Sequence, residues 1–275
     1  MARWTIEEAT ALDFDGIVAL KVMLMSGHVS VLGTDDAPSV HVGDVGGQPL
    51  LISHEAGMLN ITHENLWEGL LKWFGTQRSS AELTVMVPWD CPVQLNLVNA
   101  GAVITGLTSG VSIKTGAGDV TLDGVSGHIT ANTVSGAVEA QGLNGAVSFA
   151  SVSGDLTLAG GSIDRLTART VSGRIAADVD LADSGDAQVN TVSGEVALRL
   201  PDTTSAQVSL TTVGGRIDTS FGELDPNERT VPRSVTGALR GGTGRLTVAT
   251  VSGDVTLLSR PGASARPGGE PDVEV

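Results

Sequence analysis

Apolar and polar residues alternate with period two along most of the chain, and glycine interrupts the alternation at near-regular intervals. The segments GAVITG, GVSIKT, GDVTLD, GHITAN, GAVEAQ, GAVSFA and GDLTLA begin at glycines 101, 110, 118, 127, 136, 145 and 154, eight or nine residues apart. Each reads as a turn followed by a short strand with one buried face. Pairs of these halves make a larger unit. It appears as TVSGAVEA from Thr133, SVSGDLTL from Ser151, TVSGRIAA from Thr170, TVSGEVAL from Thr191, TVGGRIDT from Thr212 and TVSGDVTL from Thr250. Its glycines, 136, 154, 173, 194, 215 and 253, are separated by 18, 19, 21, 21 and 38 residues, the last close to two periods. A period near twenty predicts one supersecondary unit per turn, stacked on its neighbours.

The predicted fold is all-β: a parallel β-helix over 101–258 with coils of about 18–21 residues, right-handed by the usual rule for parallel crossovers. The alternation predicts inward sets of Val134, Val138 and Ala140; Val152, Leu156 and Leu158; Val171 and Ile175; Val192, Val196 and Leu198; Val213 and Ile217; and Val251, Val255 and Leu257. Glycine is expected at the corners because tight turns favour positive φ. The segments Arg199–Ser205 and Phe221–Arg233 carry prolines and read as insertions.

Residues 1–100 read as a β-rich capping region continuous with the solenoid. Strand patterns run through 18–24, 28–33, 39–43, 50–52, 58–62 and 81–88. Between them, ENLWEGLLKWF from Glu64 to Phe74 puts Leu66, Trp67, Leu70, Leu71, Trp73 and Phe74 on one helical arc, with Gly75 as a C-terminal stop. This predicts one short amphipathic helix. It either caps the apolar end of the solenoid or docks a partner protein, and Leu66, Trp67, Leu70, Trp73 and Phe74 are the candidate contact residues. Residues 259–275, rich in proline and glycine, read as a flexible tail.

Composition narrows the chemistry. Glycine supplies 36 of 275 residues, aromatics only 3%, and tyrosine none, which suits narrow coils with small interiors. The net charge of −15 is the wrong sign for a non-specific nucleic-acid binder. It restrains self-association, which solenoid ends otherwise permit. The single cysteine, Cys91, allows no internal disulfide and reads as a packed thiol. The N-terminus lacks a signal-peptide pattern, and Ile17–Met25 is too short and too charged to span a bilayer. A soluble cytoplasmic protein without an integral membrane segment is expected.

The five histidines form no HExxH pair and no zinc-like cluster with cysteine. No P-loop and no GxSxG elbow is present. No catalytic residue, metal ligand or cofactor is therefore expected. Asp178, Asp180, Asp183 and Asp186 are the acids a carbohydrate-cleaving β-helix would use, but they alternate through a turn. The Thr-x-Ser pairs are explained by β-propensity and turn bonding.

MSGHVSVLGTDD near the start, SSAELTVMVPWDCPV before the stack and the repeated TVSGxVxL together resemble the β-strand-repeat, adhesin-like family also called the toast-rack domain. The resemblance covers about residues 18–258. It implies a β-helical fold without established catalytic residues, in a family some of whose members accompany bacterial envelope-stress signalling proteins and carry membrane anchors. The expected function is a non-catalytic interaction or scaffold protein with a protein partner, in envelope-stress signalling or assembly. The alternatives are a carbohydrate-binding or carbohydrate-active β-helix, and a surface adhesin.

Overall fold

A strand with one apolar face must bury it against another apolar face, and here both faces come from the same coil. The computed structural model describes residues 2–63, 79–224 and 232–262. The chain begins with β1 (Ala2–Ile6), β2 (Thr10–Asp13), β3 (Ala19–Thr34), β4 (Ser39–Gly46), β5 (Leu50–Glu55), β6 (Met58–His63) and β7 (Ser80–Pro88). It continues through β8 (Val93–Thr105), β9 (Val111–Ala117), β10 (Val120–Asp123), β11 (Ser126–Thr133), β12 (Val138–Gln141), β13 (Asn144–Ser151), β14 (Leu156–Thr170) and β15 (Ile175–Thr191). It ends with β16 (Val196–Pro201), β17 (Ala206–Thr212), β18 (Ile217–Thr219), β19 (Arg233–Leu239), β20 (Gly244–Thr250) and β21 (Val255–Arg260). No helix occurs among the described residues. The helix expected over Glu64–Phe74, with Leu66, Trp67, Leu70, Trp73 and Phe74, lies outside them.

Successive coils pair in parallel, so the fold is a β-solenoid with two ladders. The first ladder joins β8, β10, β12, β14, β15 and β16, with Val120 opposite Val138 and Val138 opposite Leu156. The second joins β8, β9, β11, β13, β14 and β15, with Ser126 opposite Asn144. These pairings advance 18 residues per coil. The extra residues of later coils enter as irregularities at Gly145/Ala146, Ala159/Ser162 and Ile163/Arg165, where the register slips without losing the inward face. Leu122, Leu158 and Leu198 from the first ladder and Ile113, Phe149 and Val189 from the second are all buried in one continuous core. Each such side chain contributes roughly 1.5–3 kcal/mol relative to exposure.

Both termini depart from simple stacking. The 38-residue interval between Gly215 and Gly253 does not hold two successive coils. Instead β20 pairs with β15 on one side and β17 on the other, and β21 pairs with β16 and β18. The last coil in sequence is thus seated one layer inside the coil that precedes it. Antiparallel β19 then covers β17. The opposite end does the same. The first long strand, β3, lies between β8 on one side and β6 and β7 on the other. Antiparallel β5 and β4 cover β6 and β7, and β1 and β2 cover those in turn. Trp4 and Phe14 meet edge to face at 5.3 Å between these outer strands, and Phe14 meets His54 at 5.6 Å.

Candidate interaction surfaces

The Thr-Val-Ser-Gly corner is the most repeated local structure, and each of its four positions has a separate physical role. The threonine is inward. Thr133, Thr170, Thr191, Thr212 and Thr250 are buried, and each hydroxyl accepts a hydrogen bond from the backbone N–H of the glycine three residues on. The serine hydroxyl points out and donates to a valine carbonyl one coil away. Ser153 reaches Val134, Ser172 reaches Val152, Ser193 reaches Val171 and Ser252 reaches Val192. The glycine leaves no room for a side chain: a Cβ at 136, 154, 173, 194, 253 or 215 would lie 2.0–2.1 Å from the carbonyl oxygen of the glycine stacked beneath it.

That contact corrects the reason expected for these glycines. None of the six has positive φ; close backbone approach excludes a side chain. Left-handed glycines occupy the opposite corner, at Gly106, Gly124, Gly142 and Gly160, with φ between 60° and 70°.

The valine position overturns a second expectation. Val134, Val152, Val171, Val192, Val213 and Val251 do not point inward; they are 47–54% exposed. Turning the corner breaks the period-two alternation, so threonine goes in and valine out. The backbone bonds fix the spatial order as Val134, Val152, Val171, Val192, Val251, Val213. Six half-exposed valines thus form a single file along the solenoid, one per coil and about 4.8 Å apart.

The position after the glycine forms a charged file beside them. Asp119 accepts the N–H of Ala137, Asp155 that of Arg174, and Asp254 that of Arg216, each tying one coil to the next. Arg174 pairs with Glu195 at 3.0 Å and Arg216 with Asp254 at 3.1 Å. The Arg216 N–H and guanidinium hold the Asp254 carboxyl below its ordinary range.

The acids a glycan-cleaving solenoid would use do not converge. Asp178 is bound by Arg199 and, at 2.8 Å, by Arg260; Asp180 is bound by Arg260. Asp186 lies on the other ladder, between Arg165 and Arg245. The hydrogen bond from Arg199, assisted by Arg260, holds the Asp178 carboxyl below its ordinary range, opposite to what a general acid requires. This cluster joins β15, β16 and β21, so it clasps the last coil in place. The depressed group stabilises the fold above its unfolded pKa, and that contribution disappears as pH falls through the lower folded value. Arg260→Ala is expected to cost up to about 1 kcal/mol near neutrality, since both side chains remain partly exposed to screening solvent. Thermal melts should show this deficit shrinking as pH falls below about 4, the ordinary aspartate value, toward the lowered value of folded Asp178.

Cys91 is buried, and burial, reinforced by the charge of Asp90, pushes its thiol up to about 11, so it is a poor nucleophile. Burial likewise lowers the His63 imidazole, against the Gln48 carbonyl, which favours protonation. Among the described residues no three metal-ligating side chains cluster, and no helix is long and apolar enough to cross a membrane. An open groove of about 490 Å³ lies over Lys21, Met58, Gln94, Ser112 and His128.

The family profile of Toastrack DUF4097 matches residues 51–258. No curated protein matches the sequence. Among solved structures, a Clostridium sporogenes protein whose name suggests cell adhesion is 10% identical, with TM-score 0.32, covering 94% of this chain and all of its own. A Parabacteroides distasonis protein whose name suggests lipid binding is 12% identical, with TM-score 0.33, covering 92% of this chain and 97% of its own. A Parabacteroides merdae protein whose name suggests an adhesin is 12% identical, with TM-score 0.26, covering 92% and 95%. These superpositions are too loose to bear on function.

Proposed function

Because this chain belongs to the Toastrack DUF4097 family, we propose that it is a non-catalytic interaction or scaffold module acting in envelope-stress signalling or assembly. The observation that carries this reading is the valine file. All six repeats place valine at the outward corner position, half exposed. Contiguous apolar surface on an otherwise polar protein supports a contact role. The ion-paired Asp178 carboxylate and the buried Cys91 thiol support the same reading, because neither is poised for chemistry.

The test combines Val152→Ser, Val171→Ser and Val192→Ser. These side chains are already outward, so the triple variant should melt within a few degrees of the parent. Crosslinking in the native cell should recover a protein with the parent chain and lose it with the variant. Recovery of the same protein by both chains removes the valine file as the contact. Turnover of a polysaccharide by the purified parent, abolished by Asp178→Asn, would replace the reading with a carbohydrate-active one.

A further inference from the structure

The outward side of the second ladder has a composition unlike the rest of this acidic chain. The pairing registers place its outward residues in straight rows across the strands. The central row reads Ser53, Asn60, Lys21, Gln94, Ser112, Thr130, Ser148, Thr167, Gln188, Thr247, Ser209 and Thr236 in spatial order. The row nearer the valine file reads Met23, Asn96, Lys114, Asn132, Ala150, Arg169, Asn190 and Ala249. Neither row holds a carboxylate or an aromatic ring, although the chain has 31 acids. In the third row Arg165 and Arg245 flank Asp186. The border beyond carries Asp164 and Asp183, and Glu55 stands at the far hairpin. Elsewhere, Arg174, Arg199, Arg216 and Arg260 are paired with carboxylates, while Arg233 and Arg240 bond backbone carbonyls and Arg3 has no carboxylate partner among the described residues. Among the described residues, Lys21, Lys114, Arg165, Arg169 and Arg245 form no such pair.

We propose that this face binds an acidic polysaccharide carrying roughly one carboxylate per disaccharide, laid along the solenoid axis. Charge complementarity and spacing carry the assignment. Lys21, Lys114 and Arg169 are two to three strands apart along the axis, on the order of 10–15 Å. The intervening rungs offer hydroxyls and amides to sugar hydroxyls, at a step close to one pyranose unit. From Lys21 to Arg245 the face crosses seven strand spacings, roughly 34 Å.

Other polyanions fit less well. Duplex or single-stranded nucleic acid needs denser cations, and for single strands stacking rings as well. A bilayer needs an apolar face to insert, and a protein interface needs a buried apolar anchor at its centre; the central row has no apolar side chain, and the valine file runs along the border of this face rather than through it. The inference keeps the non-catalytic reading but needs neither the valine file nor its partner.

The experiment is calorimetric titration of the full chain with a hyaluronan decasaccharide at low salt. Parallel titrations use neutral dextran of matched length, a duplex DNA and phosphatidylglycerol vesicles. Hyaluronan should bind, more weakly as sodium chloride rises. Lys114→Ala with Arg169→Ala should weaken binding roughly tenfold, as expected for two charge-assisted contacts. Arg174→Ala with Arg216→Ala, on the charged file beyond the valines, should leave it unchanged. Asp186→Asn should strengthen it, which no folding defect can mimic. No heat with hyaluronan from the folded parent, equal binding of dextran, tighter binding of DNA or vesicles, or equal loss in both double variants would each overturn the proposal. The glycan recovered afterwards should keep its length. Shortening would overturn the non-catalytic reading while leaving the binding face in place.

Discussion

Replacing Gly173 with alanine is expected to destabilise the fold by about 3 kcal/mol, near the upper end for overpacking. The added Cβ would sit 2.0 Å from the Gly154 carbonyl oxygen. That atom is backbone of the neighbouring coil rather than the end of a flexible side chain, so the clash can be relieved only by parting the two coils. Two other glycines supply the contrast. Gly222 has no heavy atom within 4 Å of its virtual Cβ and no positive φ, so Gly222→Ala should stay within about 0.5 kcal/mol of the parent. Gly124 is equally open but has φ of 60°, so alanine there should cost about 1–2 kcal/mol through backbone strain alone. Urea unfolding of the three variants orders them. If Gly173→Ala proves no worse than Gly124→Ala, coil contact is not what the repeated glycine provides.

Ending the chain after Thr243 should abolish cooperative unfolding. In a simple solenoid, loss of the last coil would remove one layer and leave the others standing. Here the lost segment holds β20 and β21, which lie between the 186–199 coil and the 206–219 coil. Leu246, Val248, Val255 and Leu257 leave with it, four buried side chains worth together on the order of 6–12 kcal/mol. That is comparable with the whole stability of a typical domain, about 5–15 kcal/mol. The remaining β17–β19 hairpin would keep no parallel neighbour. Circular dichroism and urea titration of the shortened chain should show a broad or absent transition, with aggregation through the uncovered strands. A sharp transition near that of the parent would mean that the outer coil can reseat on β15.

The sequence made the coil legible where a single rule governed it. The eighteen-residue step, the strands and inward positions such as Val138, Leu156 and Ile175 follow from period-two alternation and glycine spacing, and the ladders bear them out. Alternation failed at the corner. Val134 and Val171 look inward when counted from the strand that follows, but the turn between them rotates the chain and buries the threonine instead. A β-branched residue carries the same propensity on either side, so composition could not reveal the inversion. Layer order was also hidden. Nothing local in TVSGDVTL at Thr250 distinguishes a terminal coil from one seated inside its predecessor, because that choice is made by partners 60 or more residues away, as in the bonds from Ser252 to Val192 and from Arg260 to Asp178. The hydroxyl and amide rows emerge only when registers align twelve strands from separate parts of the chain. The expected contact residues on 64–74 lie beyond the described structure, so the surfaces that the geometry favours are ones the linear pattern gave no reason to choose.

The buried placement of the first and last coils also sets how this protein can change size in evolution. An ordinary repeat array grows at its tips, since a new unit needs only one old neighbour. This chain offers no such tip: each end is a clasp of antiparallel strands, and the coil nearest each terminus is already held on both sides. A duplicated repeat can be accommodated only in the uniform middle, between β8 and β15, where one 18-residue insertion would add one rung to both ladders and to the valine file. The two ends therefore act as fixed stops, and the length between them as an adjustable ruler.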